Sequence, residues 1–149
     1  MEVMEVTHGP TFVAETRAGY GEAPRTRDLK VYQRAFDLAG QVSRLTRAFP
    51  EDEQYSLTQQ IKKSARSVHA NIAEAWRKRR YEGAFIAKLS DLEAEAAETQ
   101  SWLERAEDEG YIDREIYDRF IEDYERLLAT IVGIIDHSDK WILKPRPSE

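Results

Sequence analysis

Cations are the chemically distinctive residues of this chain, and they are grouped. Between Gln59 and Tyr81 stand seven of them, Lys62, Lys63, Arg66, Arg77, Lys78, Arg79 and Arg80, against the single acid Glu74. From Glu82 to Asp139 the balance reverses, with five basic residues against seventeen acidic ones. On a helical wheel of about 100° per residue with Ile61 at zero, Lys62, Lys63, Arg66, Arg77 and Arg80 fall between roughly 100° and 200°. Phosphates repel one another and are held by several cations in register. Such a stripe therefore suits the backbone of RNA or DNA without reading its sequence. The competing use of the same stripe is a solvated face that neutralises the acidic helices beside it. Trp76 and Tyr81 flank the run Arg77 to Arg80. Stacking on a base is one role for them, and core packing is the commoner one.

On the other flank of that wheel lie Gln60, Ser64, Ser67 and Asn71, small polar groups able to hydrogen-bond across a helix–helix or subunit interface. Catalytic constellations are missing from the sequence. None of the seven glycines precedes Lys-Ser/Thr, there is no Gly-x-Ser-x-Gly elbow, and His8, His69 and His137 are far apart. A di-iron bundle needs inward Glu-x-x-His on two helices, and the single match, Glu5 to His8, falls in an irregular N-terminal stretch. The pairs Glu95/Glu98, Glu115/Asp118 and Glu122/Glu125 have the spacing an all-α, Mg²⁺-dependent nucleotide hydrolase would use. Asp118, Glu122 and Glu125, however, lie opposite the apolar face of Phe120, Tyr124 and Leu127, which makes them a solvated acidic face. The expectation is a protein that is not an enzyme, with no catalytic residue, no metal site and no cofactor.

The elements that must position these residues are helices. Leu29, Tyr32, Phe36, Ala39, Val42 and Leu45 recur at steps of three and four, which predicts a helix over 28–48 ended by Phe49-Pro50. A second is predicted over 53–79, with Leu57, Ile61, Ala65, Val68, Ile72 and Ala75 inward and Gly83 marking a break after it. A third covers 84–108 and closes at Gly110. The fourth starts at an Asp113 cap, carries Ile116, Phe120, Tyr124, Leu127, Ile131, Ile134 and Trp141, and stops near Pro145. No segment alternates with period two over a useful length. Each stripe is too narrow to be buried alone, so the prediction is an all-α, antiparallel up-down-up-down four-helix bundle over 28–143. Residues 1–27 form a mobile N-terminal arm and 144–149 a C-terminal tail in this division. With 149 residues, 41% hydrophobic and 34% charged, the chain suffices for one globular domain. It has no cysteine and no eighteen-residue apolar run, and because no basic region followed by an apolar run opens it, no secretory signal is expected. A cytoplasmic location and no membrane association are expected.

Three stretches carry a resemblance. Lys30-Val-Tyr-Gln-Arg-Ala35 is followed by Phe49-Pro50-x-x-Glu53-x-Tyr55-x-Leu57-x-x-Gln60-Ile-Lys-Lys-Ser-Ala65, then by Ser67-Val-x-x-Asn71-Ile-Ala-Glu74. Over roughly residues 28–143 the chain resembles the bacterial four-helix proteins encoded by intervening sequences of 23S ribosomal RNA, also called S23 ribosomal proteins. It departs from their pattern at Ala75, where glycine is usual, and in lacking a Gly-Ser pair near Leu92-Glu93. The resemblance implies a homo-oligomer, with a ring-shaped pentamer the form to expect. It further implies kinship to the basic accessory protein of diversity-generating retroelements, and it brings no enzymatic activity with it. The function expected is therefore a non-catalytic, sequence-tolerant nucleic-acid-binding or RNA-associated accessory protein. The alternative is a scaffold bundle that binds a protein partner through its acidic faces and has no nucleic-acid role.

Overall fold

The steps of three and four become four helices: α1 (Lys30–Leu45), α2 (Leu57–Arg77), α3 (Glu82–Asp108) and α4 (Arg114–Asp136). Short 3-10 turns at Thr26–Asp28, Thr46–Ala48, Glu51–Glu53 and Ser138–Lys140 punctuate them. The computed structural model describes residues 25–143, so most of the expected arm and the whole tail lie outside the described residues. Among the described residues there is no strand, and no helix is long and apolar enough to cross a membrane. α1 packs on α2, α2 on α3 and α3 on α4, and α4 closes back on α1. This is the four-helix bundle the short connections call for.

The terminations show why each helix ends where it does. The Asp113 carboxylate accepts the Ile116 N–H at 2.8 Å and so caps α4. Beyond the end of α3, Gly110 has φ 80°, and the Tyr111 N–H reaches the Ala106 carbonyl at 2.9 Å. That bond closes a left-handed helix end, a conformation that favours glycine.

Other boundaries differ from expectation. α1 begins at Lys30 because the Asp28 carboxylate accepts the Arg25 N–H at 2.9 Å and closes a separate turn. α2 is shorter at both ends. Glu53 accepts hydrogen bonds from the hydroxyls of Ser56 and Tyr111, which fastens residues 51–56 as a loop. At the far end Lys78 to Arg80 form the turn. Gly83 is therefore no break but sits in the first turn of α3, where a Cβ would meet nothing within 4 Å. α4 stops at Asp136, well before Pro145, and the chain bends so that Trp141 packs edge-on against Trp76 at 6.2 Å.

The core runs through all four helices. Val42, Ile61, Ala65, Val68, Leu92, Ala96, Leu103, Tyr124 and Ile131 are fully buried. Each such large aliphatic side chain contributes about 1.5–3 kcal/mol by leaving water. The small residues Ala65, Ala96 and Thr99 let α2 and α3 approach closely. α1 buries Ala39 and Val42 as expected, with Leu29, Tyr32 and Leu45 partly buried against the core, but its inward face is wider than expected. Val31, Ala35 and Leu38 point inward, and Phe36 is left 56% exposed at the edge, beside Tyr32 and His69.

Candidate nucleic-acid interface

The buried positions of α2 dictate where its cations go. With Ile61, Ala65, Val68 and Ile72 inward, Lys63, Arg66 and Arg77 are exposed and Lys62 is half-buried. Arg66 and Arg77 are separated by about 16 Å of helix rise but only about 20° of rotation. Ala70 and Ala73 lie on the face between them, leaving it low and open. Lys78 and Arg80 continue the run in the turn that follows and are exposed. Arg80 is therefore off the helix, a correction to its expected place in the stripe.

At the other end, Tyr55, Thr58, Lys62, Lys63, Arg66 and Ala70 are among the residues lining a groove of about 540 Å³. Tyr55 is 82% exposed there. The sequence reading overlooked it as a site residue. The available signal was its position two helical turns before Lys62, which aligns it with the stripe.

The electrostatics keep this face positive. Glu74, the lone acid of the segment, pairs across to Lys88 of α3 at 2.6 Å. Lys88 holds the Glu74 carboxyl below the usual carboxylate range, and Glu74 in turn raises the Lys88 ammonium. Among the described residues the ion pairs engage Lys88, Arg105, Arg114 and Arg126, and none engages Lys62, Lys63, Arg66, Arg77 or Lys78. On the neighbouring flank, burial and then the charge of Arg66 push His69 below its ordinary pKa.

Arg79 is the principal correction. It was expected to bind phosphate, but it is only 6% exposed. Its guanidinium lies 3.4 Å above the centre of the Trp76 ring, and its Nε donates to the Trp76 carbonyl at 2.7 Å. Burial, and then the charge of Arg77, pull its pKa down to about 10, which leaves it charged at neutral pH. A guanidinium has a planar face that stacks on indole, so this cation is spent on packing. Trp76 is likewise core, whereas Tyr81 is 70% exposed.

The polar flank of α2 turns toward α3. Ser64 is 2% exposed, donates to the Ile61 carbonyl at 3.2 Å and lies 2.9 Å from the Thr99 hydroxyl. It thus belongs to a helix–helix contact inside the chain and is removed from the expected subunit interface. Gln60 is exposed, and Ser67 and Asn71 are half-buried.

The carboxylate pairs do not converge. Glu98, Glu115, Asp118, Glu122 and Glu125 are exposed, with Asp118 paired to Arg114 at 3.2 Å and Glu122 to Arg126 at 2.6 Å. Glu95 is half-buried, and burial followed by the neighbouring Glu98 charge raises its pKa. Among the described residues no group of three or more His, Cys, Asp or Glu is disposed to hold a metal ion. A second groove, of about 640 Å³ between α1 and α4, is lined by both signs of charge, including Arg34, Asp37, Asp123 and Arg126.

No curated protein matches the chain. Among solved structures it is similar to the 1.70 Å crystal structure of a protein of unknown function from the S23 ribosomal protein family of Bacteroides thetaiotaomicron VPI-5482. The two share 30% identity and a TM-score of 0.64 over 70% of this chain and 97% of the other. That neighbour has the same helical architecture, and residues 27–133 match the profile of the 23S rRNA-intervening sequence protein. With most of the bundle matched in sequence and the neighbour's chain covered almost end to end in space, this chain belongs to the 23S rRNA-intervening sequence protein family.

Proposed function

We propose that the protein is a non-catalytic nucleic-acid-binding accessory protein of the cytoplasm. It works as a homo-oligomer and holds RNA or DNA by the backbone, with little regard to sequence. The observation that carries this reading is the segregated face of α2: Lys62, Lys63, Arg66, Arg77 and Lys78 on one side, with Glu74 drawn away to Lys88. A chain of net charge −6 that gathers its cations on one such face, with no ion pair to Lys62, Lys63, Arg66, Arg77 or Lys78 among the described residues, concentrates its positive potential where phosphates can reach it. Self-association, five-fold by the family resemblance, would set several copies of that face side by side and multiply a modest affinity.

Fluorescence anisotropy with a structured RNA and a single-stranded DNA tests the reading. If these five cations each release a counterion, the slope of log affinity against log salt is about −3.5 for a single strand. Affinity then falls about a hundredfold between about 50 and 200 mM salt. The double variant Lys62→Glu/Arg66→Glu should bind more weakly with a shallower slope. No binding at about 50 mM salt and tens of micromolar protein would remove the proposal. Light scattering at micromolar protein tests the oligomer, and a monomer would remove that part of it.

A further inference from the structure

We infer that the groove on the N-terminal half of α2 takes an unpaired nucleotide, its base on the Tyr55 ring and its phosphates on Lys62, Lys63 and Arg66. This rests on the nucleic-acid reading above and narrows it to single strands. Three observations meet at the groove.

The first is the state of the ring. Large aromatic side chains are mostly buried, and the other aromatics at this end of the bundle obey that rule. Phe49 is 7% exposed and packs on Tyr111 with ring centres 5.4 Å apart. Tyr55, six residues on, is 82% exposed.

The second is that its backbone is held. Glu53 accepts from the Ser56 hydroxyl and from Tyr111 Oη at 3.0 Å, so one carboxylate ties the loop to itself and to the α3–α4 connection. The Ser56 N–H bonds the Glu53 carbonyl at 3.0 Å, and the Gln60 N–H bonds the Ser56 carbonyl at 3.0 Å. An aromatic ring presented from a fastened loop costs little further ordering when a ligand arrives.

The third is the company it keeps. Lys62, Lys63 and Arg66 line the same groove and span only about 6 Å of helix rise, so their charges act together on a short piece of backbone.

A ring beside clustered cations is the combination by which single strands are held without sequence preference, since every base has a face to stack. In a duplex those faces are covered by their neighbours. The cations can serve both kinds of strand, but the ring can serve only the unpaired one.

Tyr55→Ala, Tyr55→Phe and the intact protein, each checked for unchanged helicity, would be titrated with single-stranded RNA, single-stranded DNA of the same sequence and a hairpin-capped duplex. For Tyr55→Ala we expect about a tenfold loss on both single strands, the worth of one stacked base, and less than about a twofold change on the duplex. Tyr55→Phe should stay close to the intact protein, because the ring face and not the hydroxyl makes the contact. In a Tyr55→Trp variant the indole emission should be quenched by single strands and not by the duplex. Equal effects of Tyr55→Ala on all three ligands, or no effect on any, would overturn the inference. If the intact protein binds no strand at all, the broader proposal falls with it. If binding depends on Lys62 and Arg66 but ignores Tyr55, this inference alone is lost.

Discussion

Replacing Ser64 by Ala, Thr99 by Val, and both together isolates the one hydroxyl pair that joins α2 to α3 inside the core. Both residues are essentially buried, at 2% and 0% exposure, and their oxygens are 2.9 Å apart. Each has a local alternative. Ser64 donates to the Ile61 carbonyl at 3.2 Å, and the Thr99 hydroxyl is also 2.9 Å from the Glu95 carbonyl. A single substitution therefore strands no donor, and the full penalty of about 1–3 kcal/mol for an unpaired buried group does not apply. What is lost is one neutral bond, worth about 0.5–1.5 kcal/mol. In Ser64→Ala it is partly offset by the better helix propensity of alanine, at most about 0.7 kcal/mol. Thr99→Val, nearly isosteric, should cost about 1 kcal/mol. The double variant should be less destabilised than the sum by about 1 kcal/mol, since the shared bond can be lost only once. Urea denaturation followed by circular dichroism measures this, read from midpoints at constant slope. Additivity within about 0.3 kcal/mol would refute the bond. A loss above about 3 kcal/mol in either single variant would refute the local alternatives. Because Ser64 is inside the chain, none of the three should change the mass seen by light scattering.

Three further outcomes follow from buried or half-buried groups. Arg79→Ala should destabilise the fold by about 2 kcal/mol, through loss of the stacked guanidinium and its packed stem, and Arg79→Lys should not restore it. At fixed fold neither should weaken nucleic-acid binding as Arg66→Ala does, which anisotropy on refolded variants would check. Tyr124 Oη is buried with no hydrogen-bond partner among the described residues, so Tyr124→Phe should raise stability by about 1 kcal/mol in a urea melt. The folded chain holds His69 below its ordinary value of 6.5, so the unfolded chain takes up the proton first as pH falls. Stability should therefore be full above about pH 6.5, decline below it, and level off beneath the lower folded pKa. A His69→Gln variant melted across that window should lose this part of the slope.

How far the sequence could be read depended on whether neighbours compete for a residue. The four helices, the Asp113 cap and the Gly110 end were legible because each rests on local chemistry. The exposure of Phe36 on α1 was not, because Leu29, Tyr32 and Phe36 make as regular a stripe as Val31, Ala35 and Leu38 do. Only the packing against α2 and α4 chooses between them. The cations of α2 were placed correctly where exposure follows from the wheel, as at Lys63, Arg66 and Arg77. Arg79 was not, since a charge count does not register an indole three residues earlier that can bury a guanidinium. Tyr55 escaped notice because it lay within the helix expected over 53–79, where its spacing from Lys62 does not show that it stands exposed on a loop fastened by Glu53.

The contacts made by residues 138–143 bear on the order in which the molecule assembles. The Ser138 hydroxyl donates to Glu82 at 3.0 Å, Trp141 lies against Trp76, and the Leu143 N–H bonds the Arg79 carbonyl at 2.9 Å. All three bridge more than fifty residues of chain and land on or beside the turn of Lys78 to Arg80 that follows Arg77. The α2–α3 hairpin can close early through local encounters, but this clasp must wait for a long loop to be shut. The cationic turn is thus clasped only once that loop has shut. The Tyr55 groove at the opposite end is fastened by a different long-range contact, Glu53 to Tyr111 across 58 residues of chain. Both ends of the one basic face are thus held by contacts that close more than fifty residues of chain, one from the α3–α4 connection and the other from the last described segment.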